Sequence, residues 1–509
     1  MQLGSLTGAV EAATTEALTV VPRIWERDHT VWGPDPTELA DRLGWLDAFE
    51  RAEEVRGQLE RSAAALVDDG ITDVLLVGMG GSSLYPEVLA TTFGPVAGFP
   101  TLHVLDSTDP AAVLAAERDL PWETTVVVPA SKSGSTIEMA CLLDRFRARL
   151  QDVHGGAAGR FVLPITDPGS RLEAQAAAEG FREVIHGQVD VGGRVSALTP
   201  FGLLPAAILG LDLQEHLAAG RKQLAAARSL DPQVNDAAAL GAVMAAAVRD
   251  GRDKLTLLLP DEIASFGLWI EQLVAESTGK HGIGLLPIVG EDPTNATFGD
   301  DRIVVSLGRS QHLETLIAAG VPVVELAWSG PAQLSGEVIR WEFATAVAGA
   351  LLGINPFDQP DVEAAKKATS EVLDAGEDLP DPEDPAAVLG SVSPGNYIAL
   401  LAFVTPEGDN HRAVDAAAER LRRDLGVPVT VGVGPRYLHS TGQLHKGGPN
   451  NGVFLVVVGD DPQDADIPGR DLTFSRLKRA QAAGDLRALQ AADRRALLVS
   501  VDALRSVAT

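Results

Sequence analysis

The chain has 509 residues, of which 45 % are hydrophobic and 22 % charged, with a net charge of −29 and a pI near 4.7. That length exceeds one hydrophobic core and predicts two or three domains of ordinary globular composition. The acidity argues against nucleic acid or an anionic membrane surface as the partner, and it obliges any anionic substrate to find a local pocket of positive charge or hydrogen-bond donors.

Residues 1–60 read as mostly helical and polar, with Trp25, Trp32 and Trp45 as anchors. Residues 1–20 carry Glu11 and Glu16 but no Lys or Arg, so the basic start of a signal peptide is missing. The apolar run 72–77 (TDVLLV) ends in Gly78, Gly80, Gly81 and Ser82, the pattern of a buried strand entering a Gly-rich turn and a helix. Further strands are predicted at 101–105, 124–129 and 161–165, with a helix over 137–150 that carries Cys141 as a small buried residue. A single cysteine forms no intrachain disulfide and fits a reducing, cytoplasmic setting. Alternation of strands and helices implies α/β architecture with a parallel sheet covered on both faces.

The pattern restarts near residue 230, with strands at 254–259, 302–307 and 321–326 and helices at 262–277 and 337–352. Residues 371–385 are acidic and proline-rich and read as a linker. Beyond it, strands at 397–404, 427–433 and 452–458 and helices near 411–424 and 473–490 make a third α/β stretch. No segment reaches the ~18 apolar residues of a membrane span. The expected division is a helical segment 1–60, α/β units 61–229 and 230–370, and a C-terminal α/β region 386–509.

Residues 131–136 (SKSGST) lie between a buried strand and a helix. A helix N-terminus offers free N–H groups and a partial positive charge. Ser131, Ser133, Ser135, Thr136 and Lys132 add five donors within six residues, a set suited to a phosphate monoester. A hydroxyl-rich helix cap without a ligand has the same composition. The P-loop spacing is absent, and the turn after the first strand lacks the G-x-G-x-x-G of a dinucleotide site.

Five ordered blocks together resemble the glucose-6-phosphate isomerase family: 77–82 (VGMGGS), 131–136, 192–196 (GGRVS), 272–280 (QLVAESTGK) and 355–366 (NPFDQPDVEAAK). The resemblance implies two sugar-isomerase (SIS) domains of flavodoxin-like, parallel-sheet type, plus the C-terminal α/β extension. It implies that Ser131, Ser133 and Thr136, with Lys132 beside them, hold the phosphate, and that Gly81 and Ser82 line the sugar site. Gln272 and Gln359 would hold the substrate, Arg194 would stabilise an enediolate, Glu276 would be the base, and Lys366 would assist ring opening. Taken alone, Glu276 reads as a solvated helix residue and Arg194 as a surface cation. The chemistry nevertheless agrees, because aldose–ketose exchange asks for one base and for donors where charge develops, with no metal or cofactor.

The family places its ring-opening histidine between the base and the NPFDQP-like block, where this chain has only His281 and His312 in other contexts. Residues 439–448 (HSTGQLHKGG) are similar to the family's histidine segment with one residue deleted. The expectation is that this element has moved downstream, with His439 as the acid and Glu138 as its orienting carboxylate. His445 is the lesser candidate. A zinc site on the two histidines lacks further ligands nearby in sequence. The C-terminal pattern resembles the isomerase half of bacterial transaldolase–glucose-6-phosphate isomerase fusions. A transaldolase barrel needs ~250 residues, and only about 60 precede the first strand, so no transaldolase activity is expected. Family members are commonly dimers, which leaves open a homodimer or a site completed within one chain. The competing functions are a dual phosphoglucose/phosphomannose isomerase and a non-catalytic SIS sensor of sugar phosphates. Neither nucleic acid nor membrane is an expected partner.

Overall fold

The computed structural model describes residues 1–507, so positions 508 and 509 of the expected C-terminal region lie outside the described residues. Among the described residues the strands form three sheets, and every ladder within them is parallel. The first contains β1 (Asp73–Gly78), β2 (Thr101–Leu105), β3 (Thr125–Ala130), β4 (Ile165–Thr166) and β5 (Ile185–His186), in the order β2-β1-β3-β4-β5. The second contains β6 (Lys254–Leu258), β7 (Leu286–Ile288), β8 (Arg302–Leu307) and β9 (Val323–Leu326), in the order β7-β6-β8-β9. The third contains β10 (Tyr397–Phe403), β11 (Val429–Val433), β12 (Gly452–Val458) and β13 (Arg495–Val499), in the order β11-β10-β12-β13. In each, the first strand has its successor on one side and the next strand on the other. That reversal opens a crevice at the carboxyl ends of the strands, where ligands of open α/β sheets bind. Strands such as β1 and β3 are buried nearly throughout, as helices on both sheet faces require.

The predicted strand over 161–165 is shorter in the fold. Val162 makes an isolated parallel bridge to Val127, and regular pairing resumes only at Ile165. Pro164 has no N–H to give to a ladder, and a short helical stretch, Gly155–Phe161, takes up the preceding residues. The helix expected at 262 begins at Phe266, after a short 3-10 turn, Asp261–Ile263.

Two expected boundaries fall inside helices. Helix Ala48–Asp68 crosses position 60 because its apolar stripe, Leu59, Ala63 and Leu66, continues without a break. Helix Pro360–Ala375 crosses position 370 and packs on the C-terminal helix Phe474–Ala491, where Val372 meets Ala480 and Ala483. A Cβ at Gly484 would lie 2.5 Å from Thr369 Oγ1, so that contact requires glycine. Within the acidic segment, Gly376 ends the helix in the left-handed conformation, and the chain reaches Ala386–Leu389 without a regular element.

The tryptophans fix the N-terminal segment to helix Leu334–Leu352. Trp25 stacks on Phe343 at 5.1 Å between centroids, Trp32 Nε1 donates to the Ala346 carbonyl at 2.8 Å, and Trp45 packs edge-on to Phe343. Cys141 is buried, and burial pushes its thiol up to about 12. No described helix is long and apolar enough to cross a membrane.

Candidate active site

The carboxyl ends of β1 and β3 open into a cavity of about 700 Å³. Gly80 takes φ +55 in the turn after β1, and the Gln272 amide and the His439 carbonyl crowd the place where a Cβ would stand. A Cβ on Gly81 would stand 1.9 Å from the Gly193 carbonyl oxygen. Glycine at 81 is therefore what lets the Gly192-Gly193-Arg194 turn press against the strand end. Ser82 follows, buried in the same wall.

After β3, residues 131–136 lead into helix Ile137–His154. Ser131 Oγ accepts from the Gly134 N–H at 3.1 Å and lies 3.1 Å from Thr136 Oγ1, and Ser133 Oγ lies 2.7 Å from Ser135 Oγ. Gly134, at φ +66, turns this hydroxyl ring toward the first turn of the helix. Lys132 lines the cavity, but its ammonium is paired with Asp167 at 2.8 Å and donates to the Gln188 carbonyl at 2.7 Å. Burial holds its pKa below the usual lysine value, against the pull of Asp167.

Glu276 lies on helix Phe266–Thr278 and is 5 % exposed. Arg194 Nε is 3.3 Å from its Oε2. The remaining donors of that guanidinium go to the Pro356 carbonyl at 2.9 Å, the Asp358 carbonyl at 3.2 Å and Gln359 Oε1 at 2.8 Å. One arginine thus ties three of the sequence motifs together, and the planar fork of donors makes that possible. Gln272, one turn before Glu276 on the same helix face, donates from Nε2 to Glu276 Oε2 at 3.2 Å and to the His439 carbonyl at 2.9 Å. Gln272 Oε1 is buried without a hydrogen-bond partner. Lys280 anchors the other side of the same loop through Asp358 at 2.8 Å and the Asn355 carbonyl. Burial, with Arg194 adding repulsion, lowers its ammonium to about 7 despite Asp358.

His439 reaches the cavity from the third sheet's side, in the short helical turn Arg436–His439 after β11. Its Nε2–H donates to Glu138 Oε1 at 2.8 Å, and Gln481 Nε2 donates to the same oxygen at 2.8 Å. Burial works to lower the His439 pKa, but the Glu138 charge and hydrogen bond outweigh it and hold the imidazole above its usual value. Reciprocally, burial works to raise Glu138, and the His439 contact holds it below the usual carboxylate range. Lys366 lines the cavity from helix Pro360–Ala375, half-exposed, with Nζ 2.7 Å from Glu363 Oε1.

All thirteen residues picked from the sequence therefore line one cavity within one chain. His445 does not line it. It is buried among the rings of Tyr397, Tyr437 and Phe454, with both ring nitrogens unpartnered, and burial holds its pKa well below the usual value. Sequence reasoning missed Gln481 and the Lys280–Asp358 pair. For Gln481 a signal exists: Lys478, Gln481 and Asp485 recur at spacings of three and four residues, which puts them on one face of a helix.

The phosphoglucose isomerase family model matches residues 55–299. The glucose-6-phosphate isomerase of Rubrobacter xylanophilus is 30 % identical over 397 residues, covering 65 % of this chain and 89 % of that protein. That of Thermosynechococcus vestitus is 29 % identical over 443 residues, covering 76 % and 82 %. Among solved structures, a hypothetical protein of Thermus thermophilus superposes with a TM-score of 0.63 at 25 % identity, over 72 % of this chain and 98 % of that one. The glucose-6-phosphate isomerase of Chlamydia trachomatis, at 18 % identity and a TM-score of 0.58 over 76 % and 88 %, shares the fold. With the sequence motifs gathered in one cavity and relatives matched across most of their length, this chain belongs to the glucose-6-phosphate isomerase family.

Proposed function

We propose that this chain interconverts glucose 6-phosphate and fructose 6-phosphate through an enediolate, with Glu276 as the base that carries the proton between C2 and C1. The observation that carries the reading is the shared Gln272 amide. It bonds to Glu276 and to the backbone of His439, so base and acid line one cavity.

The phosphate is received by the hydroxyls of Ser131, Ser133 and Thr136 at the start of helix Ile137–His154, where the N–H groups and helix dipole favour an anion. Lys132, engaged by Asp167, gives the loop its shape and a positive field rather than a free ammonium. His439, whose protonated form Glu138 favours, donates to the ring oxygen while Lys366 draws charge toward the open chain. Glu276 then abstracts the C2 proton of the aldose, and Arg194, fixed by its carbonyl partners, stabilises the enediolate oxygen. Gln272 Oε1 is free to accept from a substrate hydroxyl, and Gln359 completes that wall. Return of the proton to C1 gives the ketose. Aldose–ketose exchange asks for a base and for donors, which a carboxylate and an arginine supply without a metal or redox group. A cytoplasmic site of action belongs to the same proposal, supported by the lone, buried Cys141.

A sensor that merely binds sugar phosphate has no need of a buried carboxylate beside an arginine, which favours the enzyme. The test is to run the purified chain with fructose 6-phosphate in deuterated water. Glucose 6-phosphate carrying solvent deuterium at C2 supports the reading. Failure to convert either hexose phosphate refutes it.

A further inference from the structure

The helix Phe474–Ala491 buries three polar side chains on one face, Lys478, Gln481 and Asp485, at 0, 2 and 1 % exposure. Spacings of three and four residues align them along that face. Buried polar groups cost stability unless paired, so each one's partners matter. Lys478 Nζ lies 3.0 Å from Asp109 Oδ2 and also pairs with Asp461. Gln481 Oε1 accepts from Thr108 Oγ1 at 2.8 Å while its Nε2 donates to Glu138 Oε1 at 2.8 Å. Asp485 accepts from Tyr437 O–H at 2.7 Å and pairs with Lys446 at 2.6 Å. The helix thus holds three pieces: the loop after β2, the Glu138 carboxylate, and the 436–446 segment that carries His439.

We infer that Gln481 is a positioning residue for the His439–Glu138 pair, fixing the carboxylate through the same Oε1 that the imidazole binds. The inference rests on the proposed role of His439. An ionised carboxylate only accepts, and Thr108 supplies a hydroxyl donor, so the Gln481 amide has one orientation that satisfies both neighbours. Glu138 Oε1 then has two donors at 2.8 Å, which leaves it little freedom to swing away from His439. The charged groups facing His439 are Glu138 on helix Ile137–His154, Lys366 on helix Pro360–Ala375 and Glu276 on helix Phe266–Thr278. Gln481 adds no charge to that set. It contributes the positive end of an amide dipole, which favours the deprotonated form of the pair.

The test pairs Gln481→Met, which keeps the volume and removes the amide, with Thr108→Val, which removes only the hydroxyl that orients it. Two quantities are read: the titration of His439 by nitrogen-15 NMR of labelled histidine, and kcat against pH. In Gln481→Met the His439 titration is expected to move to higher pH, and kcat to fall roughly tenfold with KM nearly unchanged, as loss of a hydrogen bond to a charged group implies. Thr108→Val is expected to change both in the same direction, by less. If His439 titrates as in wild type in both variants, with the fold intact by circular dichroism, the inference is overturned. A displaced titration with unchanged kcat upholds the positioning and tells against His439 as the ring-opening acid. If Gln481→Met does not fold, Thr108→Val decides on the same criteria.

Discussion

Arg194 Nε stands 3.3 Å from Glu276 Oε2, with both side chains buried, while the other donors of the guanidinium bond to the loop 356–359. The arginine therefore has two tasks: it supplies charge beside the base, and it holds that loop against the base's helix. A lysine replaces the charge but not the fork. Arg194→Lys is predicted to lower kcat/KM roughly hundredfold, the range for removing one donor to a developing oxyanion, and to lower the melting temperature. Steady-state kinetics and thermal denaturation measure the two effects. A variant with normal kcat/KM and a lower melting temperature contradicts the catalytic task and leaves the structural one.

The division of labour was legible in the sequence where a motif carries its own geometry. Gln272 and Glu276 are four residues apart on a helix, and their side chains bond as that spacing predicts. Gly80 and Gly81 follow a buried strand, and the close approach of Gly193 accounts for the second of them. What was not legible depends on contacts between distant segments. Nothing local to Lys132 indicates that Asp167 takes its ammonium. Nothing near position 370 shows that helix Pro360–Ala375 would find its packing partner a hundred residues later. The shortened β4 does have a local cause in Pro164, which a strict reading of ladder donors identifies.

The His439–Glu138 pair predicts a pH dependence with a definite sign. His439 is held above its ordinary value of 6.5, so its share of stability is present below that pH and is lost as the pH rises through its folded pKa. Glu138 is held below its ordinary 4.5, so its share is present above that value and is lost as the pH falls through its folded pKa. Glu138→Gln is therefore predicted to be less stable than wild type chiefly between those limits, with the gap closing on either side. Burial then acts on His439 without its counter-charge, and the alkaline limb of kcat moves to lower pH. Urea melts across pH and a kcat profile check both. An unmoved alkaline limb tells against His439 as the acid.

The hydroxyl ring of residues 131–136 predicts a binding effect. Ser131→Ala removes a side chain that accepts from Gly134 and faces Thr136. KM for fructose 6-phosphate is predicted to rise roughly tenfold or more, the weight of a hydrogen bond to a charged group, with a smaller change in kcat. Inhibition by inorganic phosphate is expected to weaken in parallel. A KM within error of wild type contradicts the assignment of the phosphate loop.

Since Glu276, Arg194, Lys366 and His439 of one chain line one cavity, catalysis is predicted not to depend on a second copy. Specific activity should stay constant as the enzyme is diluted through the range in which any self-association, followed by light scattering or sedimentation, dissociates. Loss of specific activity in step with dissociation contradicts a site completed within the chain.

The central claim concerns Glu276, and the most direct measurement is the turnover of Glu276→Gln with fructose 6-phosphate in an assay coupled to glucose 6-phosphate oxidation. Gln keeps the volume and the neighbours Gln272 and Arg194 but cannot take a proton at the carbon. The account predicts that kcat falls roughly a hundred- to ten-thousandfold, the range for loss of a general base, with substrate binding retained. Turnover equal to wild type contradicts it.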